Sequence, residues 1–382
     1  EPALFGGVLR CEAAGVVVHS LKPRAKARAD GLQCIYAGIR RILKYIQSSL
    51  FWNADSMGKY TVTALSTVLL LSAAVPVWAQ SCQTRDEITP QVKTAIESAA
   101  QQVFLEASQD NANAIRANTI PSFSNSIVGV VNDNKAAFAG AAAPQLRTSF
   151  LLDTGATPSP DGTFYCGVFG ASGMSANGAE FVIPNLPAGK YGVVIQDFIS
   201  SKGPYALSTI FEDLNGWKLA GFYVRPESSM GHDGVWYLTK ARDFKAKGQN
   251  HDAWFYYVTS WDLLAPVTFM DTKLLSQIIK ESNPIQPKDV PSGNKPATFT
   301  ANGKTYNITQ MSVFPNGDNF DLQLKYSVPS TADFNAAQAD ARSLATALVT
   351  QYPELKEVFN HIWAHAIDPS GAEAVGLINL KQ

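Results

Sequence analysis

The sequence predicts an α+β protein: a helix-covered, curved antiparallel sheet, then a helical hairpin, then a small C-terminal α+β domain of a three-stranded meander, a helix and a hairpin. Three observations carry this. Residues 190–226 read as strands separated by tight turns, residues 231–282 carry helical patterning rich in aromatic side chains, and residues 330–353 hold an amphipathic helix set between strand-like stretches.

The central strands, residues 191–199, 205–213 and 217–224, are dense in aromatic and β-branched residues. Lys202-Gly203-Pro204 breaks the first pair, and Asn215-Gly216 supplies the positive φ of a type I′ turn for the second. Period-two spacing puts Tyr205, Leu207, Thr209 and Phe211 on one face and predicts the same for Trp217, Leu219 and Tyr223, so one side of the sheet needs a cover.

Upstream, residues 1–56 carry eight Lys or Arg against four acids, and they read as a mistranslated or disordered leader. Met57 then opens an export-signal pattern. Lys59 is its charged start, residues 61–75 its apolar core, and Val77-Trp78-Ala79 a small-residue cleavage site before Gln80. Retention of that segment as a membrane anchor is the alternative, and it is the only route to the membrane that the sequence offers. The expected location is therefore exported, periplasmic or extracellular. Residues 80–382 carry 22 Lys or Arg against 28 acids and no basic stripe, which argues against nucleic acid. Cys82 and Cys166 are the two cysteines left after cleavage and could form one disulfide or remain thiols.

In the mature chain, residues 88–118 read as one long helix, with Thr89-Pro90 at its start and Val92, Ile96, Ala99, Val103 and Phe104 on one stripe. Residues 119–147 are small and polar. Strands follow at 150–153, 163–169 and 180–184. This order, closing on Gly216-Trp217-Lys218-Leu219-Ala220-Gly221-Phe222, resembles the cone-shaped α+β fold of nuclear transport factor two and ketosteroid isomerase over about residues 86–226. The resemblance implies a pocket between helix and sheet. Tyr205, Phe211, Trp217 and Tyr223 would line it for a small apolar ligand, and Asp197, an acid within an apolar strand, would be a proton-abstracting base.

Residues 231–282 resemble a single tetratricopeptide helix pair turning at Gly248-Gln249-Asn250. One pair cannot bury its own faces, so Trp254, Phe255, Tyr256, Tyr257 and Trp261 are expected to glue it to the first domain. His232-Asp233 and His251-Asp252 lack any metal-ligand spacing. Residues 283–296, with four prolines counting Pro296, have linker composition. Beyond them come the meander, the helix with Phe334, Ala337, Ala341, Leu344, Ala345 and Leu348 on one face, and strands at 358–367 and 373–380. His361-Ile362-Trp363-Ala364-His365 has zinc-protease histidine spacing without its glutamate. On a strand those histidines share a face about 13 Å apart, too far for one ion.

No nucleophile elbow, phosphate loop or dinucleotide fingerprint occurs, and no cofactor is implied. The expectation is an exported bacterial envelope protein working as a non-catalytic ligand-binding or protein-interaction module. The alternatives are an isomerase or small hydrolase using the conical pocket, and a structural assembly subunit.

Overall fold

The computed structural model describes residues 80–170, 173–292, 295–317 and 319–381. The basic leader and the signal-type stretch lie outside the described residues. The chain enters as β1 (Ser81–Thr84) and turns into α1 (Pro90–Ser108), whose first-turn proline and buried Ile96, Ala100, Val103 and Phe104 follow the sequence pattern. The single helix predicted for 88–118 is divided. Asp110 adopts φ 60°, and Asn111 then accepts a hydrogen bond from the Ala114 amide to start α2 (Ala112–Ala117). After α3 (Ile127–Asp133) and a 3₁₀ turn at Lys135–Phe138 come β2 (Gln145–Asp153), β3 (Thr163–Cys166), β4 (Phe169–Gly170), β5 (Gly173–Met174) and β6 (Ala179–Val182). The three central strands are β7 (Lys190–Ser200), β8 (Gly203–Asp213) and β9 (Trp217–Pro226).

Beyond the short ribbon of β10 (Ser228–Ser229) and β11 (His232–Asp233), the helical hairpin is α4 (Gly234–Ala246) and α5 (Asn250–Leu264). Then follow β12 (Met270–Thr272), α6 (Lys273–Ser282), β13 (Ala297–Ala301), β14 (Lys304–Asn316), β15 (Asn319–Ser327), α7 (Phe334–Gln351), α8 (Leu355–Val358), β16 (His361–Ile367) and β17 (Glu373–Asn379).

The first sheet is antiparallel, in the order β1-β2-β7-β8-β9. Bulges between Leu146 and Thr148 and beside Ile210 bend it. Cross-strand partners point to the same side, so pairing assigns the faces. Gly192 lies under α1: a Cβ there would meet the Ile96 side chain at 2.7 Å, and glycine is what lets the helix sit this close. The opposite face meets a second sheet, β12-β6-β3, through the Phe150 and Phe181 rings, 5.1 Å apart edge to face, and through Tyr223 and Phe269 at 5.3 Å. The layers are helix, curved sheet, small sheet. A disulfide from Cys82 on β1 to the fully buried Cys166 on β3 ties the two sheets together.

The C-terminal sheet runs β13-β14-β15-β16-β17, antiparallel except for the parallel β15–β16 pair, whose crossover contains α7. Gly376 is the contact point, since a Cβ there would come within 2.4 Å of the Arg342 backbone.

The hairpin's attachment differs from expectation. Trp254, Phe255, Tyr256 and Tyr257 belong to the same core as Phe320, Leu344, Phe359 and Ile362, not to the core under α1. Phe255 meets Phe359 edge to face at 5.7 Å, and Tyr237 and Tyr256 each lie 6.0 Å from Phe320. The C-terminal sheet supplies the apolar neighbour that a lone helix pair needs. Contacts from α5 and the segment after it back to the first sheet include Arg225 to Asp262 at 3.0 Å and the Ser208 hydroxyl to the Pro266 carbonyl at 3.3 Å, beside the Tyr223–Phe269 ring contact. The proline-rich 283–296 stretch is also pinned. Asp289 and Val290 are buried, and Asp289 takes hydrogen bonds from His251 Nε2 at 2.9 and 3.1 Å.

Candidate functional site

Asp197 does not face a pocket. Its β7 neighbour Phe198 points under α1, among Phe104 and Phe138 with centroids 5.1 Å away, so alternation turns Asp197 to the other side. There it meets Arg147 Nε at 3.1 Å, and the same guanidinium holds Glu227. Burial pushes the Glu227 carboxyl up, Arg147 opposes this, and the charge of Asp197 reinforces it. This is an ion triad across β2, β7 and the end of β9, with side chains 24 to 38% exposed.

The four predicted lining residues part company. Tyr205 pairs with Phe198, Phe211 with Gly192 and Trp217 with Asp213, which places those three on the α1 side. Tyr223 pairs with Ser208 and turns to the small sheet, because the bulge beside Ile210 inserts Ala220 between Leu219 and Gly221 and reverses the alternation predicted for β9. The room under α1 is filled. Phe104, Phe138, Phe198 and Phe222 form one ring cluster with centroid spacings of 5.1 to 6.2 Å, and Tyr205 stacks on Phe198 at 5.7 Å.

Neither sequence-adjacent His-Asp couple is a pair. Asp233 caps α4 by accepting the Trp236 amide, while His232 stacks on the Trp236 ring at 3.7 Å. His251 bonds Asp289, leaving Asp252 fully buried with neither carboxylate oxygen hydrogen-bonded. Burial first, then the nearby charges of Glu354 and Glu357, push that carboxyl from 3.8 up to about 8, with Lys247 opposing.

The most developed polar constellation lies on the C-terminal sheet. Ile362, Ala364 and Ala366 of β16 are buried in the core, so His361, Trp363 and His365 share the other side. Pairing extends that side in rows: Phe314, Asp321 and His361, then Ser312, Gln323, Trp363 and Leu377, then Gln310, Lys325, His365 and Val375. Phe314, Trp363, Val375 and Leu377 belong to neither hydrophobic core, and Leu377 is 40% exposed. The face is organised around Asp321, which has no solvent exposure. It accepts from His361 Nδ1 at 2.9 Å, Trp363 Nε1 at 2.9 Å and Asn316 Nδ2 at 3.0 Å. These bonds fix the indole and aim the imidazole through Nδ1, so Nε2 points away from the carboxylate. His365 bonds Gln323 at 3.0 Å and Glu373 at 3.2 Å. The two histidines therefore answer to different carboxylates.

Asp321 was missed at the sequence level although the signal that singled out Asp197 applies to it better: Phe320-Asp321-Leu322 is an acid within an apolar strand, and this one is buried. Among the described residues, no group of three or more His, Cys, Asp or Glu side chains is arranged to hold a metal ion. An open groove of about 510 Å³ beside α7 is lined by Thr300, Thr346 and Thr350, whose hydroxyls are engaged by Thr305, the Arg342 carbonyl and the Thr346 carbonyl. No protein-family model, curated protein or solved structure matches this chain.

Proposed function

We propose that this chain is an exported, non-catalytic binding module and that it meets its ligand or partner through the outer face of the C-terminal sheet. The observation that carries the reading is Trp363: a large aromatic side chain outside both cores, held in place by a buried carboxylate on the neighbouring strand. Holding an indole outside the core is the kind of preorganisation that recognition uses and that stability alone does not require. Export is supported by the charged start, apolar run and small-residue site of residues 57–79. The conical reading of residues 86–226 is supported by the order of helix and curved sheet; ring packing under α1 favours a structural role for that space, and Asp197, the acid offered for the enzyme alternative, lies on the other side of the sheet.

Site-specific photocrosslinking in cells that produce the protein tests this. A benzophenone side chain at Leu377 should capture an adduct, and the same probe at Ile199, which is 67% exposed on β7, should not. Equal capture at both positions, or none at Leu377, refutes the face as the binding surface. The mass of the purified chain should begin at Gln80; a mass that retains residues 57–79 refutes cleavage.

A further inference from the structure

Resting on that reading, we propose that the ligand is a neutral carbohydrate chain, stacked by its C–H face on Trp363 and hydrogen-bonded by its hydroxyl groups to His361 Nε2 and the Gln323 carboxamide, His365 being already bonded through both ring nitrogens. Two properties of the face select this class. The first is charge. Asp321 is satisfied by three donors and Glu373 is bonded to His365, so the acids of the face are answered within it. A highly charged partner such as a nucleic acid would find one lysine on this face, Lys325, beside two histidines already tied to carboxylates, a poor match for a phosphate backbone. A neutral partner finds complementarity. The second is the alternation of an apolar centre with polar flanks. Trp363 and Leu377 are cross-strand partners and form an apolar pair, which Val375 extends on one side, while Gln323 lies beside the indole and His361 stands one row away. Sugar rings have the matching form: an apolar patch of axial C–H groups bordered by equatorial hydroxyls that both donate and accept. The Gln323 carboxamide also does both, and His361 keeps Nε2 for one further bond, a pairing that a row of ammonium groups could not offer. The indole takes part in no ring–ring pair among the described residues, so another ring of the protein does not compete for its faces.

The test is calorimetric titration of the full chain with cellohexaose, laminarihexaose, mannohexaose and chitohexaose, followed by the same titration of variants. At least one should bind, with affinity unchanged between low and high salt because no ion pairs form. Trp363→Ala should weaken that binding about tenfold or more, roughly 1.4 kcal/mol. Trp363→Phe, which keeps a ring and guards against misfolding of the alanine variant, should fall between, and Trp217→Phe under α1 should match the parent. Absence of binding to all four sugars overturns the assignment, as does binding that survives Trp363→Ala in a folded protein. The two readings fail separately: a protein adduct at Leu377 without sugar binding removes the carbohydrate and leaves the face, whereas sugar binding insensitive to Trp363 removes both.

Discussion

At the scale of single residues, Asp252 shows most directly how burial becomes a measurable property. Folding raises this carboxyl from 3.8 to about 8, so between those values the folded protein holds a proton that the unfolded chain has released. Stability therefore falls as pH rises across that window and is level above it. Asp252→Asn removes the ionisation. We expect it to stabilise the protein by about 2–4 kcal/mol more at pH 9 than at pH 5, read from denaturant midpoints at both values. An equal effect at the two pH values would mean the carboxyl is hydrated or paired. Asp197 should behave in the opposite manner. As a half-exposed member of the triad with Arg147 and Glu227, it should tolerate Asp197→Ala at a cost below about 1 kcal/mol in thermal unfolding. A loss of several kcal/mol would show that the triad is structural.

Among the elements, the pairing of α7 with β17 is the tightest passage in the C-terminal domain. Gly376→Ala drives a methyl group into the Arg342 backbone, which cannot yield as a flexible side chain would. The expected loss is about 1–3 kcal/mol, measured by denaturant unfolding; a neutral result would mean that α7 is free to lift away. The same scale shows what the sequence could and could not tell. Elements were legible where one period dominates: α7, the hairpin and the extents of β7 to β9 follow from spacing and turn residues, although the loop at Asn215-Gly216 pairs Asp213 with Trp217 and so holds three residues and not the two of a type I′ turn. Helix 88–118 was misjudged because nothing in Gln109-Asp110-Asn111 announces that Asp110 will take a left-handed φ. Tyr223 was misplaced because a one-residue bulge reverses every later side chain of a strand, and such a bulge leaves no mark in composition. The Asp321 network was illegible for another reason. Its members come from β14, β15 and β16, and only the parallel pairing across the α7 crossover brings the last two into register.

Over the whole molecule, two cores divide the described chain in a way its composition does not suggest. The proline-rich stretch looks like a boundary, yet the chain crosses from one core to the other nearer the end of β9, and β12 returns to pair with β6 after the hairpin. Within the first core the disulfide closes a separation of 84 residues. Reducing it, or replacing Cys82 with Ala, should lower stability by about 3–4 kcal/mol, seen as a drop in the melting midpoint with dithiothreitol; an unchanged midpoint would show that the thiols are unpaired in solution. The two sheets also differ in how they are covered. The first has α1 on one side and a small sheet on the other, whereas the C-terminal sheet has a core on one side and on the other a set of aromatic and polar side chains that belongs to neither core.

Hydroxyl-radical footprinting of the full-length chain tests that last contrast in one experiment. Phe314, Trp363 and Leu377 should be oxidised readily while Phe211, Tyr191 and Trp254 are protected, and a bound ligand should suppress labelling at Trp363 first. Protection of Trp363 and Leu377 to the level of Trp254 in the unliganded protein would show that the outer face is covered, and the binding account would fall with it.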